Sequence, residues 1–449
     1  MNILVVNGSP KGEYSVTLQT TNYLMKRFPD NTFNILHAGQ KIKALERDFS
    51  SAIDALNAAD LIIFSYPVYT FIAPYQLHRF IELIKENNVN LQGKFATQIS
   101  TSKHFYDVTA HRYIEDNCGD LGLKYIKGLS ADMEDLLANK GQNEANDFFR
   151  YVLFCVNEDI CERKSANITP PVNKPVTNIT PVSTEKSGDV VILTNCEKDD
   201  TQLQSMINRF RAVSSRNTRV INIREYDFKG GCLGCMNCAI SGKCVYKDGF
   251  DDFLRNTIQN TEAIVVAFTI KDHSMGASFK LYDDRQFCNG HRAVTMGMPM
   301  GYLVSGNYSE EINLHTIIEG RAQVGSNFLA GVATDEFDPD TEIDNLAKSL
   351  EYALQNSYVP PQNFYGIGGM KIFRDLIWLM QGMMKEDHKF YKAHKQYDFP
   401  QKKFGRMILM YLLGALMSSP KIKAKSGNMM NEGMLMPYKK VLEKEENNK

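Results

Sequence analysis

A short polar turn follows the first apolar segment of the chain and carries residue types that can hold an anion. It reads NGSPKGEYSVT over residues 7–17. Its glycines let backbone N–H groups approach an anion, Lys11 adds a full positive charge, and the following helix directs its positive end to the same place. Hydroxyl donors complete the set, namely Ser9, Ser15 and Thr17. The pattern predicts a phosphate site, although Ser15 or Thr17 could instead simply cap the helix.

Two further loops carry chemistry that suits a mononucleotide. The segment SYPVYT at residues 65–70 combines a proline with aromatic side chains that can flank a flat ring, and TSK at residues 101–103 offers small hydroxyls. Each loop follows an apolar strand, and ligands of open parallel sheets bind outside the carboxyl ends of the strands. Together with the first turn, these loops predict a mononucleotide-sized site.

Four cysteines are concentrated in the segment CLGCMNCAISGKC, at positions Cys232, Cys235, Cys238 and Cys244. Neighbouring glycines permit tight turns, so that four thiolates can converge on one inorganic centre. The residues alone leave an iron–sulfur cluster, a zinc ion and reduced thiols open. Nine cysteines with this clustering do not suggest an extracellular disulfide framework.

The elements that must position these loops occur twice along the chain. Apolar strands are predicted at residues 3–7, 61–64 and 95–100, and again at residues 190–193, 263–268 and 300–305. A helical pattern follows the first strand of each set. Strands that alternate with helices indicate parallel βαβ units. The sequence therefore predicts two doubly wound α/β units, which we call the first half and the second half.

The spacing between the two sets of strands changes once. Asn7 and Thr194, at the ends of the first strands, are 187 residues apart, whereas Asp60 and Glu262, before the second strands, are 202 residues apart. The difference is about the length of the cysteine-rich segment. We therefore interpret this segment as an insertion in the second half, with chance similarity of two α/β domains as the alternative.

The first two motifs resemble those of the flavodoxin-like NAD(P)H-dependent FMN reductases. These proteins have a GSPR-G-x-x-S-x-T phosphate turn and a later s-P-x-Y loop beside the isoalloxazine ring, and GSPKGEYSVT and SYPVYT stand here in that order, within about residues 1–150. The resemblance implies FMN as cofactor and NAD(P)H as donor. Glu13 and Val16 depart from the residues more common in the family. The FMN phosphate would be held by Ser9, Lys11, Ser15, Val16 and Thr17, the ring would contact Pro67, Val68, Tyr69 and Thr70, and Thr101 and Ser102 would complete the pocket.

The cysteine-rich segment resembles that of the iron–sulfur flavoproteins, in which such a loop binds a [4Fe–4S] cluster beside FMN. The resemblance covers about residues 188–305 and includes Asp248, Asp251, Asp252 and the segment GASFKLYDDR at residues 276–285. It implies that the four cysteines ligate a cluster. Because other members have similar cysteines without a cluster, zinc or reduced thiols stay as alternatives.

The second half lacks the features of the first half's predicted flavin site. Glu197, Asp199 and Asp200 stand at the position of the phosphate turn and would repel a phosphate. The segment TIKDH at residues 269–273 has neither proline nor tyrosine. We therefore expect one FMN rather than two. His273 is expected to be a solvated loop residue, with a proton donor near a bound ring as the alternative.

Composition divides the chain into four parts: an FMN-binding domain at residues 1–155, a Pro/Thr-rich linker at 156–187, a second domain with the cysteine insertion at 188–360, and a C-terminal extension at 361–449. The extension is basic, with 16 Lys/Arg against 8 Asp/Glu after residue 370, and has apolar helical runs at residues 372–384 and 406–417. It is interpreted as a helical appendage that packs on the core. The alternative is a lid, or a docking surface for an acidic partner or an anionic membrane.

The whole chain has 449 residues, of which 43% are hydrophobic, and a net charge of −1. These values are typical of a soluble globular protein and give no signature of nucleic-acid binding. The start of the chain does not look like a signal peptide, so a cytoplasmic location is expected.

The predicted function is that of an FMN-dependent oxidoreductase built from two flavodoxin-like units, which passes electrons from NAD(P)H or a reduced protein to a small-molecule or protein acceptor. A cysteine-ligated cluster is one route for the electrons. Flavodoxin-like reductases commonly dimerise, so the two halves are expected to form an intrachain pseudo-dimer, with a homodimer as a further option. The alternatives are an electron-transfer flavoprotein without a small-molecule substrate and a non-catalytic zinc-stabilised scaffold.

Overall fold

The computed structural model describes residues 1–162, 173–179, 186–399 and 403–419. These residues fall into two compact units, one of residues Met1–Tyr391 and one that begins at Lys392. The first compact unit contains both predicted α/β halves. Residues 163–172 and 180–185 of the predicted linker lie outside the described residues, as do residues 400–402 and 420–449 of the predicted C-terminal extension.

A parallel sheet forms the centre of the first half. Its strands are runs of branched apolar residues, and residues 3–6 are at most 2% exposed because helices cover both faces. The strands are β1 (Asn2–Asn7), β2 (Thr32–Leu36), β3 (Leu61–Pro67), β4 (Phe95–Ser102), β5 (Lys124–Tyr125) and β6 (Leu129–Asp132). Their order is β2-β1-β3-β4-β5, and β6 also pairs with β4.

A second parallel sheet repeats this arrangement. Its strands are β7 (Ser187–Thr194), β8 (Arg216–Asn222), β9 (Ala263–Thr269), β10 (Pro299–Ser305) and β11 (Phe328–Thr334). The order β8-β7-β9-β10-β11 follows the same second-first-third-fourth-fifth sequence as the first sheet. The predicted fold class, two doubly wound α/β units with helices after them, is confirmed.

The helices connect successive strands and cover the sheets. They are α1 (Val16–Arg27), α2 (Ala38–Leu45), α3 (Ser50–Ala58), α4 (Tyr75–Glu86), α5 (Asp107–Asp120), α6 (Asn139–Asn157), α7 (Thr201–Val213), α8 (Asn237–Ser241), α9 (Phe250–Phe253), α10 (Gly276–Arg285), α11 (Ile312–Val324), α12 (Pro339–Asn356), α13 (Phe364–Leu379), α14 (Lys385–Ala393) and α15 (Phe404–Met417). The cysteine-rich segment contains α8 and lies between β8 and α9.

The described part of the predicted linker is held against the second half. The backbone N–H of Lys174 donates to the Asp335 carbonyl at 2.7 Å, and that of Thr177 donates to the Asp340 carboxylate at 3.0 Å. Residues 173–179 therefore form an extended segment that lies on the surface of the second half.

The two halves pack through equivalent helices, α4 against α10 and α5 against α11. The buried carboxylate of Glu82 in α4 accepts from the Ala277 N–H at the start of α10, at 2.8 Å. Reciprocally, Asp284 in α10 accepts from the Tyr75 N–H at the start of α4, at 2.7 Å. Each carboxylate satisfies a helix N-terminal amide that has no partner within its own helix.

The members of these two contacts are related by one sequence offset. Glu82 and Asp284 are 202 residues apart, and so are Tyr75 and Ala277. This is also the offset between the second strands of the two halves. The contact between the halves therefore has the reciprocity of a two-fold interface between identical subunits, but within one chain.

The C-terminal helices differ in part from the predicted apolar runs. Residues 372–379 of the run predicted at 372–384 belong to α13, whereas residues 380–384 form a turn after it. The helix begins earlier than predicted, because the Asn363 side chain accepts from the Tyr365 N–H at 3.0 Å and caps it. A Cβ on Gly369 would lie 2.9 Å from the Phe105 ring, so the glycine permits close packing on the first half. No described helix is long and apolar enough to cross a membrane.

Candidate functional site

The predicted phosphate turn leaves β1 and enters α1 through a short 3₁₀ turn, Gly12–Tyr14. The Asn7 side chain organises it by donating to the Gly12 carbonyl at 2.8 Å and accepting from the Ser9 N–H at 3.1 Å. Gly12 has a φ of +55°, and a Cβ there would overlap the Gln40 side chain. Glycine is therefore favoured at this position, and the turn is fixed by the chain's own hydrogen bonds.

The hydroxyls of the turn are buried at the end of the sheet. Ser9, Ser15 and Thr17 are each at most 2% exposed. Ser15 accepts from the Leu18 N–H at 3.4 Å, so it does cap α1. Thr17 shares a hydrogen bond of 2.5 Å with the hydroxyl of Thr101, near the end of β4. This contact joins two of the three loops that the sequence predicted to meet.

The donor set of the turn suits a phosphate. Lys11 is exposed within the turn, and the first turn of α1 itself contains no acidic residue, the nearest being the exposed Glu13 of the preceding 3₁₀ turn. The first amides of a helix have no partner within the helix and can donate to an anion. Val16, the first residue of α1, is exposed and can contribute only its backbone N–H. These residues therefore fit the phosphate of FMN.

The predicted ring loop, residues 67–70, lies beside the phosphate turn at the same sheet edge. The Val68 N–H donates to the Thr101 carbonyl at 3.1 Å, and Tyr69 and Ile72 exchange two backbone hydrogen bonds. Ser102, the last residue of β4, is buried and accepts from the His104 N–H at 2.8 Å. All predicted FMN-binding residues thus lie in the turns that follow β1 and β3 or in the ends of the adjoining strands and helix, at one edge of the sheet.

The backbone of the ring loop is in an uncommon conformation. Thr70 and Phe71 have φ values of +43° and +73°, which residues other than glycine rarely adopt. The equivalent loop of the second half has the same feature at Asp272 and His273, with φ values of +52° and +59°. Such a conformation persists only where neighbouring groups hold it.

In the first half, those neighbouring groups come from the second half. Lys280 of α10, 1% exposed, donates to the Tyr69 carbonyl at 3.0 Å and also contacts the Thr70 hydroxyl and the Asp284 carboxylate. The Thr70 hydroxyl donates to Asp284 at 2.9 Å. Burial raises the pKa of Asp284, and the adjacent Lys280 acts against that rise. Arg321 donates to the Thr70 carbonyl at 3.2 Å.

The cysteine-rich segment is anchored by a buried arginine. The Arg285 guanidinium makes two hydrogen bonds of 2.8 Å to Asp248 and one of 2.9 Å to the Gly230 carbonyl. It also lies 4.5 Å from the centre of the Tyr246 ring. Both ends of the segment are therefore fixed to α10, the helix that holds the ring loop.

The same segment lies against the predicted FMN site. Gly234 has a φ of +60°, and a Cβ there would overlap the Tyr69 hydroxyl and lie 3.3 Å from the Lys11 side chain. The Gln76 amide donates to the Cys232 carbonyl at 3.4 Å. The segment therefore contacts both the phosphate turn and the ring loop of the first half.

The four clustered thiols differ in their surroundings. Burial raises the pKa of Cys232 well above its usual value and that of Cys238 to about 11, whereas Cys235 is exposed. Cys244 is half-buried. Within the described part of the chain, no three His, Cys, Asp or Glu side chains are placed to hold one metal ion. The thiols suit an iron–sulfur cluster or zinc by their chemistry, but this arrangement is not a ligand set.

The equivalent edge of the second half carries a cleft of about 320 Å³, whose lining includes three acidic and two basic side chains. The Asp200 carboxylate accepts from the Leu203 N–H at 3.1 Å and from the Thr269 hydroxyl at 2.5 Å, so it occupies the helix N-terminus that would face a phosphate. Glu197 pairs with Arg224 at 2.5 Å. These contacts favour the expectation that the second half holds no FMN phosphate.

The expectation that His273 is a solvated loop residue is wrong. Its imidazole lies between Asp120 of the first half, at 3.1 Å, and Glu311 of the second, at 3.0 Å. Although burial disfavours the charged ring, its hydrogen bonds to these two carboxylates raise the pKa of His273 to about 10. The histidine therefore links the halves as a cation.

This ion pair predicts a specific dependence of stability on pH. Because the pKa of His273 in the fold is raised, its stabilisation is complete below the unfolded value of about 6.5 and is lost as pH rises through about 10. We expect His273→Gln to remove roughly 2–4 kcal/mol from the free energy of unfolding at pH 6 and far less at pH 10.5. Urea unfolding of both proteins across this range measures the difference. His104→Gln, which alters an exposed His–Asp pair, is the control; equal losses for His273→Gln at both pH values would contradict the assignment.

Several residues of this site were not predicted individually. The sequence pattern singles out Asn7 only as part of the turn, and it indicates no role for Lys280, Asp284 or Arg321. A signal was present in GASFKLYDDR, where Lys280 precedes Asp283 and Asp284 by three and four residues and so shares a helix face with them. That spacing indicates an ion-pair network but not what it holds.

Comparisons with known proteins agree with the fold of the first half. Residues 1–131 match a family model described as flavodoxin-like fold. An iron–sulfur flavoprotein of Archaeoglobus fulgidus is 23% identical over an alignment of 172 residues, with 36% of this chain and 77% of that protein covered. The resemblance to flavodoxin-like flavoproteins is therefore confirmed, and residues 1–131 carry the flavodoxin-like fold.

Two solved structures are also similar to part of the chain. An NADPH-quinone reductase from P. pentosaceus is 17% identical, with 34% of this chain and 97% of that chain covered and a TM-score of 0.28. An FMN-dependent NADH-azoreductase from Bacillus anthracis in complex with FMN is 14% identical, with 35% and 99% covered and a TM-score of 0.27.

Proposed function

We propose that the protein is an FMN-dependent oxidoreductase that takes electrons from NAD(P)H, or from a reduced protein, and passes them to a small-molecule or protein acceptor. The observation that carries the proposal is the meeting of the phosphate turn and the ring loop at one sheet edge, where both contact Thr101: Thr17 shares a hydrogen bond with its hydroxyl, and the Val68 N–H donates to its carbonyl. The flavodoxin-like fold of residues 1–131 and the flavoprotein relative support it.

In this proposal each loop has a defined task. Lys11, the hydroxyls of the turn and the first amides of α1 bind the phosphate, and residues 67–70 line the ring. Bound FMN would supply the capacity to accept and release electrons. Lys280 and Arg321 keep the ring loop in its unusual conformation before the cofactor arrives, through the carbonyls of Tyr69 and Thr70. A loop that is already ordered costs less free energy to fix on binding.

The second half takes the place of a second subunit in this arrangement. It supplies the side chains that hold the ring loop, and Gly234 of its cysteine-rich segment lies against Tyr69. We therefore propose that the two halves act as an intrachain pseudo-dimer. One chain would then build the complete site, with no need for a homodimer.

Anaerobic reduction of the FMN-loaded protein tests the proposal. We expect NADH or NADPH to bleach the visible flavin absorption band, with one flavin reduced per chain. A flavin that only a chemical reductant or a reduced protein bleaches would favour the electron-transfer alternative. A protein that binds no flavin would favour the zinc-stabilised scaffold.

We also propose that Cys232, Cys235, Cys238 and Cys244 ligate a [4Fe–4S] cluster, which would be one route for the electrons. Two observations support it. The four thiols lie in a segment that touches the ring loop, and part of the chain is similar to an iron–sulfur flavoprotein. Iron and sulfide content of protein purified without oxygen tests it. About four irons per chain would support the cluster, one zinc per chain the zinc alternative, and neither metal the reduced thiols.

A further inference from the structure

Helix α15 exposes apolar side chains on every side. Residues 407–413 are seven consecutive large apolar residues, and each is between 44% and 75% exposed. Seven residues make almost two turns of helix, so these side chains point in all directions around the axis. Phe404 and Leu416 extend the apolar surface to both ends of the helix. A helix with this pattern is unfavourable in water.

The sequence around α15 is strongly basic. Residues 399–431 contain no Asp or Glu and six basic residues, namely Lys402, Lys403, Arg406, Lys421, Lys423 and Lys425. Positive charge therefore lies on both sides of the apolar run. Such a combination complements a surface that is apolar below and anionic above.

We propose that α15 lies in the surface of an anionic lipid membrane and anchors the protein there. Its 14 residues are about 21 Å long, which is shorter than the roughly 30 Å hydrocarbon core of a bilayer. Because both ends carry positive charge, both stay at the headgroups of one leaflet, and the helix lies along the membrane plane. Its apolar side chains enter the acyl region, and the lysines and Arg406 favour phosphate headgroups.

The distribution of apolar residues favours lipid over a protein partner. A groove on a protein, or a second copy of this chain, covers one face of a helix and leaves the opposite face in water. An apolar stripe would be sufficient for such a partner. Acyl chains, in contrast, can surround most of the helix, and the excess of positive charge matches anionic lipids.

Sedimentation of the full-length protein with lipid vesicles tests the proposal. One set of vesicles is phosphatidylcholine alone, and the other contains one quarter phosphatidylglycerol. We expect binding to the anionic vesicles that weakens with salt. Leu409→Gln with Leu413→Gln should lower the affinity at least about tenfold through lost apolar burial. Lys403→Gln with Arg406→Gln should lower it by roughly tenfold or more on anionic vesicles only.

A matched control separates this effect from a general loss of surface hydrophobicity. Leu137 is 83% exposed outside α15, and Leu137→Gln should leave vesicle binding unchanged. Wild-type protein that does not bind anionic vesicles would overturn the proposal, as would binding that the Leu409 and Leu413 changes leave intact. Sedimentation velocity without lipid tests whether the helix binds a second copy of the chain instead. That conclusion would follow if the protein self-associates, the Leu409 and Leu413 changes abolish the self-association, and no vesicles are bound.

Discussion

Replacement of Lys280 with methionine is expected to lower the free energy of unfolding by about 3–5 kcal/mol. Lys280 and Asp284 are 1% and 0% exposed, and the change would leave the Asp284 carboxylate buried without its cation. Methionine is close to lysine in length, so the loss comes from the uncompensated charge rather than from a cavity. Urea unfolding at neutral pH measures it.

Two further variants separate this explanation from a loss of packing. Removing the charge as well, in Lys280→Met with Asp284→Asn, should recover more than half of the loss, because asparagine can still accept from the Tyr75 N–H. Lys371→Met, which breaks an exposed pair with Asp375, should cost less than about 1 kcal/mol. A loss for Lys280→Met as small as that for Lys371→Met would show that the charges do not hold the ring loop.

Reversal of one charge in the phosphate turn, Lys11→Glu, is expected to weaken FMN binding by roughly 10–100-fold at low ionic strength. Lys11 is exposed, so the change should leave the fold intact. The physical reason is that a carboxylate would replace the ammonium group next to the phosphate. Quenching of FMN fluorescence during titration of the flavin-free protein gives the dissociation constant.

The second half and a second ligand supply matched controls for this change. Lys198 is exposed and lies 187 residues after Lys11, the offset between the ends of the first strands, so Lys198→Glu makes the same substitution in the equivalent turn. It should leave FMN affinity unchanged. Riboflavin lacks the phosphate, and its affinity should not respond to Lys11→Glu. Equal effects on FMN and riboflavin would contradict a phosphate site at this turn.

Much of the fold could be predicted because its signals are local. Branched apolar runs such as residues 190–193 mark buried parallel strands, and their alternation with helices determines the fold class. The positions at which the strands end are predicted less accurately. β4 continues through Thr101 and Ser102 because these residues still pair with Ala131 and Asp132 of β6. A run of small hydroxyl residues such as these is typical of a loop, and they stay in the sheet only because they pair with the neighbouring strand.

The candidate site was predictable only where it depends on a single half. The turn at residues 7–17 could be recognised from its glycines and hydroxyls, and parallel strand ends bring it to the ring loop. The contacts of Lys280 with Tyr69, and of His273 with Asp120, join residues more than 150 positions apart. They depend on how α4 packs against α10, which no local pattern specifies.

We expect each chain to bind one FMN, at the first half. The most direct test is to saturate flavin-free protein with FMN, remove the unbound cofactor and count the flavin released per chain after denaturation, for the wild type and for Lys11→Glu. We expect one FMN per wild-type chain and a clear loss with Lys11→Glu. Two FMN per chain, none, or a full complement in Lys11→Glu at low cofactor concentration would contradict it.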